Sequence, residues 1–173
     1  RPSVIIGDLD SATFDLEGLA RAGTRIIRHP KDKNQTDLEL ALEHAVELGH
    51  REILILGALG GRLDQTLGNL SLLTGAQYAS LDIRLDDGQE EVFFLRNQAV
   101  IPGEPGDLVS LIPWGEAAGG VQTEGLRWQL KGETLHPDRT RGISKEMTGS
   151  TAGVKVESGL LLVIHRRPLK PAV

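Results

Sequence analysis

The chain has 173 residues, a formal net charge of −5 and no cysteine. That length suits one large domain or two small ones, each with its own core. The missing thiols exclude a disulfide framework, a zinc–thiolate site and a cysteine nucleophile, and fit a cytoplasmic protein.

An acidic balance with no basic stripe and only 3% aromatic residues speaks against nucleic acid as a partner. The longest apolar run, Gly159–His165, is far too short to cross a bilayer, so no membrane association is expected. The chain opens on Arg1 and carries its one methionine at Met147, which leads to the expectation that it is trimmed from a longer chain.

The first half alternates short β-rich runs with helical segments. Val4–Ile6 is an apolar run closed by Gly7, Arg25–Arg28 is a second β candidate, and Glu52–Leu56 (E-I-L-I-L) is the clearest. Continuous apolar runs of this kind read as strands buried on both faces. Between them Leu38, Ala41, Leu42, Ala45 and Leu48 recur at helical spacing, with a Thr36/Glu39 capping box at the start and Gly49 as the stop. Strand, helix, strand in this order predicts an α/β domain with a parallel sheet.

The texture changes near Leu81. Asp86-Asp87-Gly88 supplies turn chemistry before Val92–Leu95, and Asp107–Ile112, Leu126–Leu130, Gly153–Glu157 and Leu160–His165 read as short strands. Ser158-Gly159 reads as a tight turn joining the last two. The prediction is an α/β domain over residues 1–85 followed by an all-β sandwich over 86–173.

Each strand end of the first half carries an acid. Gly7-Asp8-Leu9-Asp10-Ser11 follows the first run, and ligands of parallel α/β sheets bind at the carboxyl ends of strands. Two carboxylates this close suit a divalent cation such as Mg²⁺, although a helix cap is the commoner use of an isolated D-x-D. Asp32-Lys33-Asn34-Gln35-Thr36-Asp37 leads into the amphipathic helix, where a first-turn acid is ordinary and the free N–H groups suit phosphate. Gly57-Ala58-Leu59-Gly60-Gly61-Arg62-Leu63-Asp64 combines close backbone approach with a guanidinium for phosphate oxygens. It lacks the spacing of the P-loop and of the dinucleotide fingerprint.

Taken together, G-D-L-D-S at 7–11, D-K-N-Q-T-D at 32–37 and G-G-R-L-D-Q-T-L-G-N at 60–69 resemble the signature segments of thiamine pyrophosphokinases. The match continues through S-L-I-P at 110–113, E-G-L-R-W-Q-L at 124–130, I-S-K-E at 143–146 and the closing V-K-V-E-S-G-L-L-L-V-I. The resemblance implies an α/β nucleotide-binding domain followed by a β-sandwich that binds thiamine, in a homodimer with the active site at the interface. It implies transfer of pyrophosphate from Mg-ATP to the thiamine hydroxyl, giving thiamine pyrophosphate and AMP.

Carried over by position, Asp8, Asp10 and Asp37 are the Mg²⁺-associated carboxylates. Ser11, Thr36, Gly60, Gly61 and Arg62 meet the nucleotide, and Asp64 lies at the reacting hydroxyl. Lys33, Asn69 and Ser144 contact substrate, with Ser144 coming from the partner's sandwich, and Asp64 or Asp37 is the candidate base.

The chain departs from the family pattern in four places. It has no counterpart of an early Asp-Gly-Gly-Ala segment, which leads to the expectation of a missing first strand and helix. Lys145 replaces an asparagine, Asn34 and Gln35 replace an acid and a lysine, and Gln65 replaces a histidine. Two alternatives keep the same carboxylates: a pyrophosphokinase for another hydroxyalkyl heterocycle of the hydroxymethylpterin type, and a catalytically decayed relative that binds thiamine or nucleotide. A nucleotidyl- or glycosyltransferase using the D-x-D would not explain the glycine-rich and sandwich motifs together. Trp128 is expected in the sandwich core or an interface, Trp114 as a loop anchor, His44 on the solvated side of its helix, and His165-Arg166-Arg167 as an ordinary charged end.

Overall fold

The computed structural model describes residues 1–10 and 12–168, so the nucleotide-binding candidate Ser11 lies outside the described residues. The chain forms two compact units, Arg1–Arg51 and Glu52–Val173.

The first unit is built from β1 (Val4–Gly7), α1 (Leu16–Arg21), β2 (Arg25–Arg28) and α2 (Asp37–Glu47). β1 and β2 pair in parallel, Val4 with Arg25 through Gly7 with Arg28. The short α1 between them is capped by Asp15, whose carboxylate accepts the Gly18 N–H at 2.8 Å. α2 starts where its capping residue predicts: Thr36 Oγ1 accepts the Glu39 N–H at 3.2 Å. It stops at a left-handed Gly49 (φ +85°) whose N–H reaches the Val46 carbonyl.

The buried part of α2 is Leu40 and Leu42, packed towards β1; Ala41 and Leu48 of the predicted apolar face stay exposed. His44 is not solvated as expected. Its ring is largely covered, with Nδ1 3.8 Å from Glu47 and Nε2 buried without a hydrogen-bond partner.

The second unit opens with β3 (Glu52–Leu56) and α3 (Leu63–Leu72), then a 3₁₀ turn at Ala76–Tyr78. Nine strands follow: β4 (Asp82–Asp86), β5 (Glu90–Leu95), β6 (Gln98–Pro102), β7 (Leu108–Pro113), β8 (Ala118–Glu124), β9 (Lys131–Leu135), β10 (Lys145–Glu146), β11 (Thr151–Lys155) and β12 (Leu161–Arg166). They form a six-stranded sheet in the order β10-β7-β12-β5-β4-β3 and a four-stranded sheet in the order β6-β11-β8-β9.

The two sheets share one core. Phe93, Leu95, Val109, Leu111, Leu161 and Val163 from the first meet Ile101, Ala118, Val121, Leu135, Ala152 and Val154 from the second. On its other face the six-stranded sheet aligns Ile55, Leu85, Val92 and Ile164 across four strands, so β5 is buried on both sides. The sheets are mixed and mainly antiparallel, with few helices. Among the described strands, parallel pairing joins only β1 to β2 and β3 to β4.

Several local expectations are corrected. Leu126–Leu130 is not a strand: apart from one bridge between Leu126 and Met147 it is an irregular loop, and Trp128 within it has φ +58°. The strand of that region is β8, whose Ala-Gly-Gly stretch hides the alternation of Ala118, Val121 and Thr123 towards the core. β11 and β12 are not a hairpin. They belong to different sheets, and Ser158 bridges to Gly119 as the chain crosses over. β3 is not buried on both faces, since Leu54 and Leu56 are 60% and 70% exposed. The Asp86-Asp87-Gly88 turn forms as predicted, with Asp86 accepting the Gly88 N–H at 2.7 Å and Asp87 accepting the Gln89 and Glu90 N–H groups.

Candidate active site

The acidic segments of the first unit converge at the carboxyl end of β1. Gly7 ends that strand at φ +152°, and a Cβ on it would sit 2.6 Å from Asp37 Oδ2, so glycine here makes room for a carboxylate from another element. Leu9, between Asp8 and Asp10, takes a left-handed backbone at φ +59°. Such strain in a non-glycine residue clusters at functional sites.

Two lysines from the loop before α2 reach these acids. Lys33 Nζ lies 2.9 Å from Asp37 Oδ1 and 3.8 Å from Asp8 Oδ2, while Lys31 pairs with Asp10 Oδ2. The hydrogen bond to Asp37 raises the Lys33 ammonium above the ordinary lysine value, and the bond to Asp10 does the same for Lys31. Asp8 and Asp37 therefore converge on one cation and Asp10 on another. Lys31 and Asp10 are 21 residues apart, so nothing in the sequence spacing ties them together. Thr36 serves as the helix cap described above.

Among the described residues no three His, Asp or Glu side chains assemble a ready metal cage. Asp8 and Asp37 nevertheless share a point cation, and two carboxylates completed by phosphate oxygens are a usual Mg²⁺ donor set. The residues present fit Mg²⁺ bound together with a polyphosphate better than Mg²⁺ alone.

In the second unit the glycine-rich segment joins β3 to α3. Gly57, Gly60 and Gly61 all have positive φ, and a Cβ on any of them would meet nothing within 4 Å. Backbone conformation, and not crowding, is therefore what requires glycine there. The loop is tied to the helix that follows it: Thr66 Oγ1 donates to the Gly60 carbonyl at 3.1 Å and Asn69 Nδ2 to the Ala58 carbonyl at 3.0 Å. Arg62 grips Asp64 through two hydrogen bonds, from Nε and from Nη2. The guanidinium, and then the Gln65 N–H, hold the Asp64 carboxyl below the ordinary carboxylate range. An exposed guanidinium at a helix start whose N-cap residue makes no side-chain cap, beside two left-handed glycines, is an arrangement that suits an anion.

The third cluster lies in the sandwich. Ser144 is exposed at φ +53°, and its N–H donates to Ser110 Oγ at 3.0 Å. Lys145, which replaces the family's asparagine, is only 2% exposed and donates to the Trp128 carbonyl at 2.8 Å. Burial, and then repulsion from Arg141, push its ammonium below the ordinary lysine value. Trp128 is 61% exposed, so it is not part of the core. Trp114 does anchor its loop, edge-on against Phe94 with ring centroids 5.3 Å apart.

The carboxyl-terminal basic run is also not an ordinary end. His165 is buried against Asp107 at 2.7 Å, and Arg167 pairs with Asp86 at 2.6 Å.

Comparison with known proteins gives this arrangement its context. Residues 1–85 match the family model "Thiamin pyrophosphokinase, catalytic domain", and residues 98–161 match "Thiamin pyrophosphokinase, vitamin B1 binding domain". The thiamine pyrophosphokinase of Bacillus subtilis (strain 168) is 31% identical over 173 residues, covering 95% of this chain and 78% of that protein. The chain belongs to the thiamine pyrophosphokinase family.

Thiamine pyrophosphokinase 1 of Arabidopsis thaliana is 29% identical, covering 95% of this chain and 65% of that one. Among solved structures, thiamine pyrophosphokinase from Bacillus subtilis superposes with a TM-score of 0.85 at 30% identity, covering 97% of this chain and 80% of that one. The enzyme from Geobacillus thermodenitrificans superposes with a TM-score of 0.79 at 26% identity, covering 99% and 80%. Among the described residues no helix is long and apolar enough to cross a membrane.

Proposed function

We propose that this chain acts as a thiamine pyrophosphokinase, moving the pyrophosphoryl group of ATP onto the hydroxyl of thiamine with Mg²⁺ as cofactor, and releasing thiamine pyrophosphate and AMP. The observation that carries this reading is the ordered match of both segments to one family. The convergence of Asp8 and Asp37 on a single cation supports it. Residues 1–85 make up the nucleotide-binding parallel-sheet part and 86–173 the thiamine-binding part. A second copy completes the acceptor site in a cytoplasmic homodimer.

Asp8 and Asp37 hold Mg²⁺, with Asp10 beside them. When bound, Mg²⁺ neutralises charge on the polyphosphate oxygens. Lys33 and Lys31, which sit on these carboxylates, would be at hand for phosphate oxygens with Mg²⁺ held there. Gly60 and Gly61 bring backbone N–H groups to the polyphosphate, and Arg62 stabilises the charge that develops on the oxygen bridging the α and β phosphorus atoms. Ser11 and Thr36 complete the nucleotide site.

Asp64 orients the Arg62 guanidinium, and Asp64 or Asp37 is the candidate to take the proton of the attacking hydroxyl. Asn69 keeps the glycine loop in shape from α3, and Ser144 contacts the acceptor ring. The test is direct: thiamine, ATP and Mg²⁺ should yield thiamine pyrophosphate and AMP in equal amounts. Formation of ADP, or no product with any acceptor, overturns the reading.

A further inference from the structure

Three non-glycine residues among those described have a left-handed backbone: Leu9, Trp128 and Ser144. The last two are linked through one side chain. Lys145 follows Ser144 directly, and its ammonium donates to the Trp128 carbonyl at 2.8 Å from a position that is 2% exposed. A lysine is seldom buried so fully unless it is paired, and here its hydrogen bond goes to the main-chain carbonyl of a residue with a left-handed backbone.

The surrounding loop does not depend on this contact. Leu126 bridges to Met147, the Arg127 N–H reaches the Glu146 carbonyl at 2.8 Å, and the Thr148 N–H reaches the Gly125 carbonyl at 2.9 Å. These bonds fix the loop before residue 128, and after it the Leu130 N–H donates to Thr123 Oγ1 at 2.8 Å while the Thr123 N–H reaches the Leu130 carbonyl at 3.0 Å. The lysine acts on residue 128 itself, whose indole stands 61% exposed with the Arg127 guanidinium 5.6 Å from its ring centre.

We propose that Lys145 is a positioning residue of the acceptor site: its buried ammonium locks the left-handed turn at Trp128 and thereby fixes the exposed indole relative to Ser144. The proposal rests on the reading that Ser144 contacts the acceptor. In that role the lysine does not meet thiamine. Its charge is spent on a carbonyl inside the fold, away from a cationic substrate.

The experiment compares wild type, Lys145→Met, Lys145→Gln and Ser144→Ala in the full chain, measuring KM for thiamine, KM for ATP, kcat and melting temperature. Methionine fills the same volume without a donor, while glutamine keeps one. Lys145→Met is expected to raise KM for thiamine about tenfold with kcat and the ATP KM within twofold, and to leave the melting temperature unchanged or higher, because replacing a buried charge by an apolar side chain is often neutral or stabilising. Lys145→Gln should recover part of the loss. In a Trp114→Phe background, which leaves Trp128 as the only indole, Lys145→Met should change iodide quenching of its fluorescence.

An unchanged thiamine KM in Lys145→Met overturns the proposal. So does a fall in kcat that tracks a lower melting temperature, which would make the lysine merely structural. If Ser144→Ala has no effect while Lys145→Met does, the assignment of Ser144 fails and the role of Lys145 through Trp128 stands.

Discussion

The buried pair of Asp107 and His165 offers the sharpest test of the packing. Asp107 is 5% exposed and His165 3%, and Asp107 Oδ2 accepts both the imidazole, at 2.7 Å, and the Glu104 N–H, at 3.0 Å. Asp107→Ala would orphan the buried imidazole, whereas the N–H of the exposed Glu104 can turn to water. A buried polar group left without its partner costs about 1–3 kcal/mol. The expected loss is therefore about 2–3 kcal/mol, a fall in melting temperature of roughly 4–12 °C for a chain of this size.

The two tryptophans, Trp114 and Trp128, both lie in the second unit, so their fluorescence during urea unfolding reads that unit directly. Asp107→Asn keeps an acceptor of the same shape and should lose less than half as much. Combining Asp107→Ala with His165→Ala should show a coupling of about 1–3 kcal/mol. A stability for Asp107→Ala within about 0.5 kcal/mol of wild type, the range of an ordinary surface change, would refute the reasoning, as would single losses that simply add.

Four further outcomes follow from the site and its surroundings. Asp8→Asn and Asp37→Asn should each reduce pyrophosphoryl transfer by about 10²-fold or more, while melting curves stay close to wild type because both groups are partly solvated; full activity in either excludes it as a metal ligand. Arg62→Lys keeps the charge but loses the two-pronged grip on Asp64, so kcat should fall by roughly tenfold or more, measured as AMP released. Gly60→Ala or Gly61→Ala forces a left-handed alanine at a cost of about 1–2 kcal/mol, visible as weaker ATP binding by calorimetry, although a Cβ meets no neighbour there. Asp86 is held below its ordinary value of 3.8 by Arg167 first and then the Gly88 N–H. Its contribution to stability is thus complete above that value and is lost as pH falls through the lower, folded-state value. The stability gap between wild type and Asp86→Asn should therefore close on acidification, and a gap that widens would contradict the pairing.

Local chemistry is what the sequence determined by itself. The start of α2 at Thr36, its left-handed stop at Gly49 and the Asp86–Gly88 turn all rest on residues within a few positions of one another, so they could be read without a fold. The same holds for the loop glycines at 57, 60 and 61, whose positive φ comes from the connection itself. The ordered motifs also led to the family, because they record chemistry and not packing.

Only the tertiary structure decided what depends on distant partners. β8 was invisible because Gly119 and Gly120 break the alternation that its neighbours β11 and β9 restore by pairing. β11 and β12 look like a hairpin in sequence, but their apolar residues fill opposite sides of one core and so lie in separate sheets. Asp107 and His165 are 58 residues apart, so no spacing rule joins them. Lys145 reads as a surface charge until Trp128, 17 residues earlier, turns its carbonyl towards it. Side chains whose ionic or hydrogen-bonding partner lies in another strand carry no local periodicity, and only the fold shows which of them is buried.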